Sequence, residues 1–155
     1  MNPKVLFLCT GNACRSQMAE GWARHLHGDA IDAYSAGIET HGLNPRAVAV
    51  MAEAGVDISQ YRSKHVRELA EVSFDLVVTV CGAAHESCPV FLGAPRVLHA
   101  GFDDPPKLAA TAATEQEALV HYRRVRDEIR AFVQTLPDVL KAAATTSRPT
   151  ERNIP

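Results

Sequence analysis

The chain has 155 residues, enough for one domain with a real core and little more. Apolar residues make up 46% and charged residues 22%, and 16 Lys and Arg against 18 Asp and Glu leave a net charge of -2, so no basic field points to nucleic acid or an anionic membrane. The opening apolar run Val5–Cys9 is far short of the ~20 residues of a membrane-spanning helix and lacks the regions and cleavage pattern of a secretory signal, which makes the cytoplasm the expected compartment. Four cysteines in such a chain point to chemistry rather than structural staples, and they fall in two pairs, Cys9 with Cys14 and Cys81 with Cys88.

In chain order, short apolar strands alternate with amphipathic helices. The pattern predicts a single α/β domain over residues 1–140, a four-stranded parallel sheet flanked by helices. The first strand is expected at Lys4–Leu8, apolar on both faces as a buried parallel strand is. A helix follows from Ser16 to about His27 with Met18, Ala19, Trp22, Ala23 and Leu26 on one face, then a second strand from Ala30 to Ser35 leading to Gly37. Asn44-Pro45 reads as an N-cap with Pro at the first helical position, and that helix is expected to stop at Gly55. Strands are expected at Asp75–Val80 and, shorter, at Arg96–His99. Thr114-Glu115-Gln116-Glu117 matches a capping box, and the helix after it sets Ala118, Tyr122, Val125, Ile129, Phe132 and Leu136 along one stripe. Residues 141–155 lose apolar periodicity and are expected to form a flexible tail.

The run Cys9-Thr10-Gly11-Asn12-Ala13-Cys14-Arg15-Ser16 lies between the first strand and the first helix, where open α/β sheets bind ligands. A loop of small residues there turns backbone N–H groups toward one point, the helix N-terminus adds further N–H groups and partial positive charge, and Arg15 offers a fork matched to a tetrahedral oxyanion. The expected ligand is phosphate, arsenate or a similar anion, held by residues 10–16. The same field is expected to favour the Cys9 thiolate, moving its pKa from about 8.5 to roughly 4–7, with Ser16 donating a further hydrogen bond. No G-x-x-x-x-G-K-[ST] nucleotide loop occurs. Cys14 reads as a small packing residue.

Cys81 ends the third predicted strand and should emerge on the same sheet edge as Cys9, with Cys88-Pro89 seven residues on. Disulfide formation between Cys81 and Cys88 needs a Cα separation of ~5.5 Å, reached if the intervening loop bends. Three such thiols fit a relay in which successive thiolates attack successive sulfurs. Cys81-x3-His85-x2-Cys88 with His99 offers a zinc-like alternative, although its spacing is not a common structural one. Inert buried cysteines are a third reading. Asp103-Asp104-Pro105-Pro106 places a carboxylate in a stiff turn, suited to general acid work.

The run V-L-F-L-C-T-G-N-A-C-R-S-Q-M-A-E-G from Val5 to Gly21 resembles the signature of the low-molecular-weight tyrosine phosphatase superfamily, and more narrowly its thioredoxin-coupled arsenate reductases. Tyr34-Ser35-Ala36-Gly37-Ile38-Glu39, His41-Gly42-Leu43-Asn44-Pro45, Gly101-Phe102-Asp103-Asp104-Pro105 and Val78-Thr79-Val80-Cys81-Gly82 extend the likeness over residues 4–136. The resemblance implies a low-molecular-weight phosphatase-like fold and arsenate reduction in arsenic detoxification. Cys9 would form the arsenic adduct, Cys81 would displace arsenite to give Cys9–Cys81, and Cys88 would then give Cys81–Cys88. Thioredoxin would reduce that disulfide, or a glutaredoxin with glutathione in its place. Phosphate and sulfate would act as substrate analogues, Asp104 would be the catalytic acid, and the enzyme would be a monomer with no bound cofactor or catalytic metal.

Pro106-Lys107 stands where related phosphatases usually carry tyrosines, which argues against a phosphotyrosine substrate. Some reductases of this branch bind potassium beside the cradle. Asn12, Glu20 and Ser35 match their ligands, but the two remaining positions fall at Arg62 and Lys64. The ammonium of Lys64 is therefore expected in the ion's place, paired with Glu20. The competing functions are a phosphatase using only Cys9, Arg15 and Asp104, and a non-catalytic arsenical or metal sensor.

Overall fold

A computed structural model describes residues 1–81 and 96–145. Within them the elements are β1 (Lys4–Cys9), α1 (Arg15–His27), β2 (Asp32–Gly37), α2 (Pro45–Glu53), a 3-10 turn (Val66–Leu69), β3 (Leu76–Thr79), β4 (Val97–His99), α3 (Pro105–Ala109), α4 (Glu115–Gln134) and α5 (Leu136–Thr145). The strands form one parallel four-stranded sheet in the order β2-β1-β3-β4. Its two inner strands are the most apolar. Val5 to Cys9 and all of β3 are buried, as parallel strands covered on both faces must be.

Helices α1 and α4 pack together, and Trp22 ties them by donating from Nε1 to the Arg126 carbonyl at 3.1 Å. Helix α2 follows its sequence signals closely. Asn44 Oδ1 accepts from the Arg46 and Ala47 N–H groups at 2.8 and 3.2 Å, and Pro45 opens the helix. At the other end Gly55 takes a φ of +86°, while its N–H donates to Ala52 O and that of Val56 to Met51 O, a Schellman closure that a Cβ would strain.

Several expectations shift. Strand β2 starts at Asp32 rather than Ala30 because Asp32 N–H pairs with Pro3 O, which sets the register Lys4↔Asp32 through Cys9↔Gly37. Thr114 caps α4 through a 3.1 Å bond from Glu117 N–H, but Glu117 reaches back to Ala113 N–H and not to the cap's own. The buried stripe of α4 runs Ala118, Tyr122, Val125, Ile129 and Val133, so Val133 takes the core place expected of Phe132. Phe132 instead lies half-buried, edge-on to Phe102 with ring centroids 6.1 Å apart. Thr135 closes α4, and helix α5, with Pro137 in its first turn, continues to Thr145, past the point where apolar periodicity fades. Val139 and Leu140 hold it against the core. The rest of the expected tail, 146–155, lies outside the described residues.

Candidate active site

The buried strand β1 delivers Cys9 to the carboxyl edge of the sheet, and the chain then turns through Thr10–Cys14 into α1. The carbonyls of this turn are all engaged on its outer side. Cys9, Thr10, Gly11 and Ala13 accept from the N–H groups of Ile38, Glu39, His41 and Asn44, while Asn12 O takes Gln17 Nε2 and Cys14 O takes Met18 N–H. Ser63 Oγ donates to Gly11 O as well, at 2.7 Å. The N–H groups of Gly11, Asn12, Ala13 and Cys14 find no acceptor among the described residues. Alternating peptide groups that send every C=O outward turn their N–H groups inward, which is what an anion cradle requires.

Asn12 makes that turn possible. It is fully buried with φ +50°, a left-handed conformation that Asn tolerates better than most residues. Its Nδ2 donates to Ser16 Oγ at 2.8 Å and Ser35 Oγ at 3.0 Å, and its Oδ1 accepts from Gln17 Nε2 at 3.0 Å and Lys64 N–H at 2.8 Å. Gly37, at the end of β2, passes so close behind the loop that a Cβ there would collide with Glu39 O, Asn12 N and Thr10 O.

Arg15 reaches the cradle from the first turn of α1 with a largely buried side chain. Its Nη1 donates to Phe102 O at 2.9 Å, Nη2 lies 3.6 Å from Asp104 Oδ1, and buried Nε has no hydrogen-bond partner among the described residues. A buried guanidinium N–H left without an acceptor is costly unless a ligand supplies one. The fork is thus fixed at one corner by backbone and leaves Nε and Nη2 for an oxyanion. Asp104 precedes α3 and keeps its carboxylate partly exposed beside Arg15, whereas Asp103 turns away to Arg124 Nη2 at 2.9 Å.

Cys9 is almost fully buried, and so is Cys81, two residues past the end of β3. The bond from Val80 N–H to Leu8 O carries the strand pairing out to this edge, and Thr10 Oγ1 lies 3.1 Å from Cys81 Sγ. The expectation of a lowered Cys9 pKa is corrected here. The thiol is pushed above its usual range, first by the hydrogen-bonded Cys81 thiol and then by burial, against the opposing pull of Arg15 and the Ser16 N–H. Two adjacent thiols do not both ionise, because the charge of one thiolate opposes loss of the second proton. Arg15 and the Ser16 backbone are the groups that favour a thiolate at Cys9. Ser16 acts through its N–H, while its hydroxyl accepts from Asn12. Burial holds Cys14 as a thiol, its pKa pushed up to about 12, and it packs at the start of α1 without a side-chain cap bond. Cys88 and His85 lie outside the described residues. His99 hydrogen-bonds Thr79 through Nδ1 at 2.9 Å.

Behind the cradle Glu20 is buried, with Ser35 Oγ donating to Oε1 at 2.6 Å and Arg24 Nε to Oε2 at 2.7 Å. Lys64 Nζ stands 3.9 Å from Glu20 Oε1 and donates to Arg62 O at 3.1 Å, while the Arg62 side chain turns outward to Glu68. These groups do not fit a bound potassium ion, since two cations already neutralise the one carboxylate. Gln17, Ser63 and Asn44 also shape the cradle and were not among the residues expected there. Gln17 is fully buried, and its Nε2 also reaches Arg62 O at 2.9 Å. Ser63 carries no local signal because it is 52 positions from the carbonyl it binds.

Comparison with known proteins matches residues 4–145 to the family of low molecular weight phosphotyrosine protein phosphatases. The chain belongs to that family. It is 49% identical over 142 residues to an arsenate reductase of Halalkalibacterium halodurans, covering 91% of this chain and 100% of that one. It is also 51% identical over 128 residues to an arsenate reductase of Bacillus subtilis, covering 83% and 90%. Among solved structures, an arsenate reductase in its phosphate-binding state superimposes with a TM-score of 0.75 at 30% identity, over 89% of this chain and 98% of that one. The fold and family expected from the Val5–Gly21 signature are thereby established.

Proposed function

We propose that this chain reduces arsenate to arsenite through a three-thiol relay and is regenerated by thioredoxin. The observation that carries the reading is the placement of Cys81 against Cys9 at the mouth of an oxyanion cradle. A phosphatase needs the cradle, Cys9, Arg15 and Asp104, but has no use for a second thiol there. Relatives about half identical to this chain carry the name arsenate reductase, which supports the same choice.

In the proposed sequence, arsenate sits on the N–H groups of Thr10–Ser16 and on Arg15. The Cys9 thiolate attacks arsenic, and Asp104 protonates the departing oxygen, which leaves as water. Cys81 holds its proton through this step, since the charge of one thiolate opposes loss of a proton from its neighbour. Cys81 then loses its proton and attacks Cys9 Sγ. The electron pair of the S–As bond passes to arsenic, which falls from the pentavalent to the trivalent state, and arsenite departs from a Cys9–Cys81 disulfide. Cys88 attacks Cys81 and frees Cys9, leaving Cys81–Cys88 for thioredoxin, with glutathione and glutaredoxin as the other candidate reductant. Lys64, paired with Glu20, stands in the place proposed for a potassium ion. Among the described residues no helix is long and apolar enough to cross a membrane, and reactions of free thiols suit the reducing cytoplasm.

The decisive assay is arsenate-driven NADPH consumption with thioredoxin and its reductase. Cys88→Ser should stall after one turnover while hydrolysis of p-nitrophenyl phosphate continues. Full multiple turnover of arsenate in that variant would refute the relay, and hydrolysis without any arsenate-driven NADPH consumption in the parent would favour a hydrolase.

A further inference from the structure

The buried stripe of α4 is apolar except at one atom. Ala118, Val125, Ile129 and Val133 carry only hydrocarbon, while Tyr122, equally buried, brings a hydroxyl into the core. A buried phenol takes a hydrogen-bond partner, and here Asn44 Nδ2 donates to Tyr122 Oη at 3.1 Å. Arg46 braces the ring from outside. Its guanidinium carbon stands 5.9 Å from the ring centroid, and its Nε and Nη2 donate to the Glu115 carboxylate at 3.1 and 2.8 Å.

Asn44 engages every polar atom it has. Oδ1 accepts from the Arg46 and Ala47 N–H groups, Nδ2 donates to Tyr122, its carbonyl accepts from Val48 N–H, and its own N–H donates to Ala13 O at 2.9 Å. That last bond reaches the cradle. A trans peptide group is planar, so turning the Ala13 C=O outward sets the Cys14 N–H inward, toward the anion. Among the described residues Asn44 N–H is the only donor to Ala13 O, whereas Gly11 O has two. No side-chain cap bond steadies Cys14 at the start of α1 either. The direction of the Cys14 N–H thus depends on where Asn44 stands, and the Tyr122 hydroxyl fixes one end of the Asn44 amide.

We propose that Tyr122 is a positioning residue of the oxyanion cradle, acting through Asn44 to hold the Cys14 N–H on the bound anion. It touches neither the anion nor a reacting sulfur. Without the hydroxyl, Asn44 Nδ2 loses its acceptor, the amide rotates toward water, and the cap that seats Asn44 loosens with it. The Ala13 peptide then samples other directions, and the anion loses part of one donor. The inference rests on the reading of Cys9–Ser16 as an anion loop, but not on arsenate reduction, because it holds for any tetrahedral oxyanion and requires no turnover.

The probe is inorganic phosphate, titrated into the reduced full-length protein and followed by phosphorus NMR. Tyr122→Phe deletes the hydroxyl alone and should raise the phosphate Kd about 5-fold, the net worth of one hydrogen bond. Val125→Ala, on the same stripe, should lower the melting temperature at least as much and leave the Kd unchanged. Asn44→Ser keeps a capping oxygen and the N–H to Ala13 but has no donor that reaches Tyr122. It should raise the Kd comparably, and adding Tyr122→Phe to it should bring no further rise. An unchanged Kd in Tyr122→Phe, an equal rise in Val125→Ala, or fully additive rises in the double variant would overturn the assignment. If Asn44→Ser misfolds, Tyr122→Phe against Val125→Ala decides it. Phosphate failing to bind the unmutated protein would instead refute the anion loop itself, and this inference with it.

Discussion

Asn12→Ala tests the cradle most directly, because one side chain there fixes both a strained backbone and four hydrogen bonds. The Asn12 amide holds Ser16 Oγ, Ser35 Oγ, Gln17 Nε2 and Lys64 N–H at 2.8–3.0 Å, all within a buried region. At a net value of about 1 kcal/mol each, these bonds contribute ~4 kcal/mol. Placing Ala at φ +50° adds about 1 kcal/mol of left-handed strain relative to Asn. Some of this is recovered, since Gln17 keeps Asn12 O and Arg62 O and the two serine hydroxyls can rotate to other partners. The expected loss is about 3 kcal/mol out of the roughly 5–15 kcal/mol of an ordinary domain. Asn12→Gly loses the same bonds without the strain and should be about 1 kcal/mol milder. Urea unfolding monitored by Trp22 fluorescence reads both variants, and p-nitrophenyl phosphate turnover reports whether the N–H groups still converge. If Asn12→Ala stayed within about 0.5 kcal/mol of the parent with unchanged turnover, the account of the cradle would be wrong. Equal stability of the Ala and Gly variants would remove the strain component alone.

Three further outcomes are expected. Cys81→Ser takes away the largest cause that raises the Cys9 pKa, so the midpoint of Cys9 alkylation against pH should move down; an unchanged or higher midpoint would contradict that cause. Asp104→Asn should lower kcat about 100-fold, as loss of a general acid does, and Asp103→Asn should leave it within about 2-fold because Asp103 faces Arg124; comparable losses in the two would refute the assignment. Potassium and sodium at equal ionic strength should change the melting temperature and rate alike, and a gain specific to potassium would show that Lys64 does not stand in for an ion.

The sequence by itself determined the parts of this protein that depend on neighbours in the chain. Doubly apolar strands between amphipathic helices specified a parallel α/β sheet, Asn44-Pro45 and Gly55 bounded a helix, and the C-x5-R spacing marked a strand-to-helix anion loop. These are local consequences of backbone preference and hydrophobic period. The tertiary structure decided what depends on through-space distance. Register moved β2 to Asp32, and packing against α1 chose Val133 over Phe132. Asp104, which the resemblance singles out by its place before Pro105, lies beside Arg15, while Asp103 faces Arg124. Lys64 and Ser63 reached the cradle from 52 positions away. Most tellingly, the ionisation of Cys9 follows not only from the loop that holds it but from Cys81 across the strand boundary, since electrostatic coupling falls with distance in space and is indifferent to distance along the chain.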